Sequence, residues 1–168
     1  MALREIVTIP EPVLRKKARK VTDFGSELQT LIDDMVETMR QAPGVGLAAP
    51  QVASPLRVIV IEFSDEENEE TPPKLYTMVN PEIVRLSEEL VVGTEGCLSI
   101  PGFIGNVERP EQIIVKGQNR HGQPMRVKAH GWLARIFQHE IDHLNGVLFT
   151  DRALRIWKPA EGEVVPRD

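Results

Sequence analysis

The stretch "WLARIFQHEIDHL", Trp132–Leu144, places the tightest demand on any fold this chain can adopt. Its apolar residues recur at helical spacing and Asn145-Gly146 supplies a stop, so it reads as a helix. Its second half nevertheless packs two histidines, a glutamate and an aspartate into the six residues Gln138–His143. His139 and His143 are four apart and project from neighbouring turns of one face. At 3.6 residues per turn, Glu140 lies about 100° around the helix from His139 and about 60° from His143. Leu133 and Ile136 continue that side toward the N-terminus, so the ionisable groups emerge from a face built to be packed. Two readings stay open. The H-E-x-x-H pattern can offer two imidazole nitrogens to one metal ion, with a carboxylate beside them to handle protons. Alternatively, the histidines form a polar surface pair held by Glu140 and Asp142.

The remaining chain is expected to build one α+β domain over residues 1–158, followed by a polar tail at 159–168. Its 168 residues suffice for an apolar core without staples. Periodicity predicts a helix in "SELQTLIDDMVETMRQAPG", with Leu28, Leu31, Ile32, Met35 and Met39 on one face, Ser26 as cap and Pro43-Gly44 at its end. "LRVIVIEF", Leu56–Phe63, is a β-branched run expected to be a buried strand. Shorter strands are predicted at Leu75–Val79, Glu89–Val92 and Glu111–Lys116, with a hairpin turning near Arg120-His121-Gly122 and returning through Met125–Ala129. The acidic "SDEENEETPP", Ser64–Pro73, reads as a solvated connection. A helix, then many strands, then a helix argues against alternating βαβ units.

Composition narrows the partners. A net charge of −5 gives no reason to expect nucleic acid or an anionic membrane, and 5% aromatic residues leave little for base stacking. No apolar run approaches a membrane span, and "MALREIVTIPEP" lacks the apolar core of a secretion signal. The one cysteine cannot form an internal disulfide, which fits a reducing cytoplasm.

A catalytic metal site needs a third protein ligand and an open position. No histidine follows His143, and Glu163 sits in the proline-broken "AEGEVVPRD" with nothing to hold it rigid. Cys97, in "EGCLSIPG", is the other candidate, although a free cysteine also serves as a small buried hydrophobe. A thiolate with two imidazoles would suit iron(II), zinc, cobalt or nickel. "GVGLAAPQ", Gly44–Gln51, lacks the features of a nucleotide loop and reads as a helix-ending turn into an edge strand, with Gln51 offering an amide donor.

"GVGLAAPQ", "EGCLS" and "QHEIDH", in that order, resemble the peptide deformylase family, and "LREIVTIPEPVLRKKA", "MVNPEIV" and "HLNGVLFTDR" extend the likeness over nearly the whole chain. The resemblance implies antiparallel sheets wrapped around a central metal-bearing helix and hydrolysis of N-formyl-methionyl peptides to release formate. It implies Cys97, His139 and His143 as metal ligands, iron(II) as the native ion with zinc, nickel or cobalt as alternatives, and Glu140 as general base and acid. Gln51 and the Leu98 N–H would stabilise the oxyanion, and the Val45–Gly46 backbone would pair with the substrate. An apolar pocket with Val45 and Ile136 in its wall would take the methionine side chain. The implied partners are nascent chains in the cytoplasm, with transient proximity to the ribosome but no recognition of nucleic acid sequence and no membrane. One departure stands out: many members carry an arginine seven residues after the metal cysteine, where this chain has Ile104. The tail is also short and mixed in charge, so the basic-helix ribosome docking of some members is not expected.

Overall fold

The computed structural model describes residues 2–64 and 72–160. A 3₁₀ turn at Pro12–Arg15 leads to helix α1, Ser26–Gln41. The strands that follow are β1 (Gly46–Ala48), β2 (Val58–Phe63), β3 (Lys74–Leu86), β4 (Leu90–Cys97), β5 (Ile100–Pro110), β6 (Gln112–Gln118) and β7 (Pro124–His130). Helix α2 (Gly131–Leu144), a single turn α3 (Phe149–Arg152) and β8 (Arg155–Trp157) complete the chain. Five strands form one antiparallel sheet in the order β1-β2-β3-β6-β7, and three form a second in the order β4-β5-β8. The α+β expectation of antiparallel sheets about a central helix holds. Most of the acidic 64–73 connection and most of the 159–168 tail, Glu163 included, lie outside the described residues.

The unbroken apolar run of β2 follows from its position between two helices. Val58 and Val60 face α1, packing with Leu28, Leu31, Ile32, Met35 and Met39. Ile59 and Ile61 face the other way, where Phe137, Ile141 and Leu144 of α2 meet them together with Met78, Ile113 and Val115. A strand buried on both faces cannot alternate apolar with polar. Strand β6, covered on one face only, buries Ile113 and Val115 and leaves Gln112 and Lys116 exposed.

Several elements depart from the sequence reading for local reasons. Gly25, not Ser26, occupies the cap of α1, and Asp23 accepts the Gly25 N–H at 2.9 Å. Strand β3 runs on past Val79 because Asn80-Pro81 forms a register shift instead of a turn. Asn80 sits at φ +53°, with its side chain bonded to both polar groups of Val21 and to Gln118. Strand β5 has no counterpart among the predicted strands, its Pro101, Gly102 and Gly105 interrupting a strand pattern. At Gly105 a side chain would come within 2.9 Å of the Arg155 carbonyl on β8, so glycine there permits strand pairing. The predicted stop of α2 holds: Gly146 takes φ +74°, and a side chain there would run into the Arg15 backbone.

Candidate metal centre

Ten of the fourteen residues of α2 are buried, among them Arg135, Gln138, His139, Glu140 and His143. So many polar groups in one buried helix need partners, and they find them mainly on the three-stranded sheet. Glu95 and Cys97 are two apart on β4, so both side chains project from the same face, toward α2. The Cys97 sulfur, one nitrogen of His139 and one of His143 all lie within 4.8 Å of one another, and all three residues are buried. His143 Nε2 is 3.3 Å from Cys97 Sγ, and the two imidazole rings stand edge to face with centroids 5.1 Å apart. Phe149 of α3 stacks on the His139 ring at 6.2 Å. The donor set, one thiol and two imidazoles, fits a divalent transition metal and leaves room for a fourth ligand.

The protonation of the site suits that use. Burial, then the neighbouring His139 and Arg109, hold the His143 imidazole well below its ordinary value, so it is neutral at pH 7. His139 Nδ1 is 2.9 Å from Glu95 Oε1, which directs the other ring nitrogen, Nε2, toward Cys97 and His143. Burial pushes the Glu95 carboxyl up, but hydrogen bonds and charge from Arg109 and His139 outweigh it and keep the group ionised, well below the usual carboxylate range. Arg109 binds Glu95 in a fork at 2.6 and 2.8 Å and reaches Asp142 at 3.0 Å. Asp142 also accepts from Arg152, so it pairs with arginines and not with the histidines.

Glu140 is fully buried against β1, where a side chain at Gly46 would come to 2.5 Å from its carboxylate oxygen. Glycine at position 46 therefore makes room for Glu140, a reason for it beyond close approach of a substrate. Gly46 also lies on the outer edge strand. The Glu62 N–H donates to the Val45 carbonyl, so by antiparallel alternation the polar groups of Gly46 point away from β2. Val45 is half-buried, whereas Ile136 is wholly buried and offers no surface. Gln51 has a defined orientation: its Oε1 accepts the Ala48 N–H at 3.0 Å, so its Nε2 faces Ser99 Oγ at 3.1 Å and Cys97 Sγ at 3.6 Å. Leu98 opens the two-residue turn between β4 and β5. Ile104 is a buried strand residue opposite Gly96 and has no polar group to offer a ligand.

Sequence reasoning thus named Cys97, His139, His143, Glu140, Gln51 and Leu98, but not the surrounding Glu95, Ser99, Arg109, Arg135, Phe149 and Arg152 as site residues. Spacing points to two of these: Glu95 stands one strand repeat before Cys97, and Arg135 one helical turn before His139.

Comparison with known proteins agrees with this geometry. Residues 3–158 match the model of the polypeptide deformylase family. The chain is 51% identical over 156 residues to the peptide deformylase of Symbiobacterium thermophilum, covering 93% of this chain and 69% of that one. It is 49% identical to that of Halothermothrix orenii, covering 93% and 97% respectively. The crystal structure of the Ehrlichia chaffeensis peptide deformylase in complex with actinonin superposes with a TM-score of 0.85 at 40% identity, covering 92% of this chain and 91% of that one. The Thermotoga maritima peptide deformylase gives 0.84 at 42% identity, covering 92% and 100%.

Proposed function

This chain belongs to the polypeptide deformylase family of metal-dependent hydrolases, and on that premise we propose that it removes the formyl group from the N-terminal formylmethionine of newly made polypeptides and releases formate. The observation that carries this reading is the convergence of Cys97, His139 and His143 from a strand and a helix into one buried cluster, with Glu140 on the same helix. The catalytic domain would span residues 1–158, in keeping with the matched range.

Cys97, His139 and His143 would hold one divalent ion. Iron(II) is the proposed native ion on the strength of the family resemblance; the same thiolate and two imidazoles would also suit zinc, nickel or cobalt. When bound, the ion would supply a Lewis acid for the formyl oxygen and for lowering the pKa of a water toward ~7. Glu140, held between α2 and the Gly46 backbone, takes the proton of the attacking water and delivers it to the departing amine nitrogen. The Gln51 amide and the Leu98 N–H donate to the oxygen on which negative charge develops; each such donor is worth about 3–4 kcal/mol in the barrier. The outward-facing polar groups of Gly46, with Val45 beside them, would pair with the substrate backbone as an added strand. Main-chain pairing reads no side chains, which suits an enzyme acting on many nascent chains. The methionine side chain would lie against Val45. Nascent-chain substrates imply transient proximity to the ribosome, and the free buried Cys97 suits a reducing cytoplasm. No helix among the described residues is long and apolar enough to cross a membrane.

The test is formate release from formyl-Met-Ala-Ser, before chelation, after it, and after adding back iron(II), zinc, nickel or cobalt. Activity should vanish with the metal and return with it; iron-loaded protein that releases no formate would overturn the reading. In air the iron form should lose activity while the nickel form persists, and equal lifetimes would count against iron as the native ion.

A further inference from the structure

Arg135 precedes His139 by one turn of α2, and the proposed mechanism does not use it. Its side chain crosses from the helix into the three-stranded sheet. Nη1 donates to Glu95 Oε2 at 2.6 Å and to the Val107 carbonyl at 2.9 Å, and Nη2 donates to the Val91 carbonyl at 2.7 Å. Val91 lies on β4 and Val107 on β5, so one guanidinium fastens both strands to the helix. Arg109 crosses the same seam the other way, from β5 through Glu95 to Asp142 on α2. Both guanidiniums meet on the Glu95 carboxylate, which also contacts His139.

Two further observations show that the seam is shaped around Arg135. At Gly93 of β4 a side chain would come within 2.8 Å of Arg135 Nε and Cζ, so the strand is bare where the guanidinium passes. The apolar cluster that includes Cys97 consists of Ile100, Val107, Leu148 and Phe149 and contains no residue of α2. Among these apolar residues, Phe149 alone reaches α2 in a ring contact, on His139, and the other contacts described between β4 and the helix are made by polar and charged groups.

We infer that Arg135 is a positioning residue that sets the separation of Cys97 on β4 from His139 and His143 on α2, by fixing β4 and β5 to the helix through Glu95 and two backbone carbonyls. A planar guanidinium serves three acceptors at fixed angles, which the single ammonium of lysine cannot do. Holding Glu95 also holds the His139 ring in the orientation that presents its other nitrogen to the cluster. The inference rests on the ligand set proposed above.

Its test uses apoprotein made by chelation, titrated with zinc against a chromophoric chelator, for Arg135→Met, Arg135→Lys and Gly93→Ala, with Cys97→Ala alongside. Zinc affinity should fall about 10- to 100-fold in Arg135→Met, less in Arg135→Lys, and measurably in Gly93→Ala, which displaces the guanidinium while leaving it charged. The cobalt(II) forms should show a weakened or shifted thiolate-to-metal absorption, and zinc should raise the melting temperature less than it does in the parent. If Arg135→Met does not fold, Arg135→Lys and Gly93→Ala decide. Parental zinc affinity and cobalt spectrum in these folded variants, beside a metal-free Cys97→Ala, would overturn the inference alone, even if the apoproteins melt lower. Undiminished zinc affinity in Cys97→Ala would overturn the ligand assignment, and the inference with it.

Discussion

On one side of α2, Phe137, Ile141 and Leu144 pack into Ile59, Met78, Ile113 and Val115 of the five-stranded sheet through apolar contact, with Glu140 set beside them against β1. On the other side, Arg135, His139, Asp142 and His143 meet Glu95, Arg109 and Cys97 of the three-stranded sheet through ion pairs and polar contacts. Both interfaces are buried, yet they are held by different physics. Apolar contact is non-directional and tolerates repacking at constant volume. Buried ion pairs are directional, and each group depends on its partners to offset the cost of leaving water. The first interface anchors the helix; the second orients its functional groups.

The sharpest contrast between the two sides is expected at Glu140. Glu140→Ala should keep its metal and its fold but lose about two to four orders of magnitude in the rate of formate release. Metal content by elemental analysis separates this from a collapsed site. Retained activity would remove Glu140 from proton transfer and leave it a buried polar group packed against β1.

Next in size is Glu95→Gln, a change of almost no volume. It removes a charge that Arg109 and Arg135 both need, so chemical denaturation of the apoprotein should show a loss of about 3–4 kcal/mol. The carboxyl is depressed in the fold, so its contribution is complete above the unfolded pKa of about 4.3 and fades as pH falls through the lower folded value. The gap between parent and variant should stay flat from about pH 5 to 8 and narrow only below about pH 4. A gap that opens in acid would contradict an ionised Glu95.

The same two interfaces explain what could be read in advance. The apolar side was legible because its pattern is local: alternate faces of β2 and the helical spacing of α1 follow from residue order alone. The three metal-ligand candidates were legible because rare residue types at fixed spacing stand out. The ion pairs around Glu95 were not, since Glu95, Arg109, Arg135 and Asp142 look in sequence like ordinary solvated charges. Only the folding of the β4–β5 hairpin onto α2 buries them. Strand β5 escaped for a related reason: its glycine at position 105 serves a cross-strand neighbour, β8, that residue order does not announce.

On the apolar side, a volume-conserving change should do far less than Glu95→Gln. Met78→Leu, on β3 and fully buried against α2, should cost under about 1.5 kcal/mol and leave metal affinity unchanged. A loss as large as that of Glu95→Gln would mean that this face also positions the helix finely, and the division between anchoring and placing would fail.

The smallest effect is expected at the outer end of the charged seam. Arg152 donates to both oxygens of Asp142, at 2.7 and 3.0 Å, in the same network as Arg109, but its own side chain is half exposed, at 49%. Water already solvates much of that guanidinium, so holding it in place contributes little beyond the side-chain entropy it costs. Asp142 keeps Arg109 as a partner when Arg152 is removed, so no charge is left stranded. Arg152→Ala should therefore lower stability by less than about 1 kcal/mol, an effect that shrinks further as salt is raised, with metal affinity unchanged. Denaturation at low and high salt measures both. A salt-insensitive loss of several kcal/mol would show that the whole network acts as one unit. The small, screened loss would show instead that burial, and not membership of an ion-pair chain, decides which of these charges the metal centre depends on.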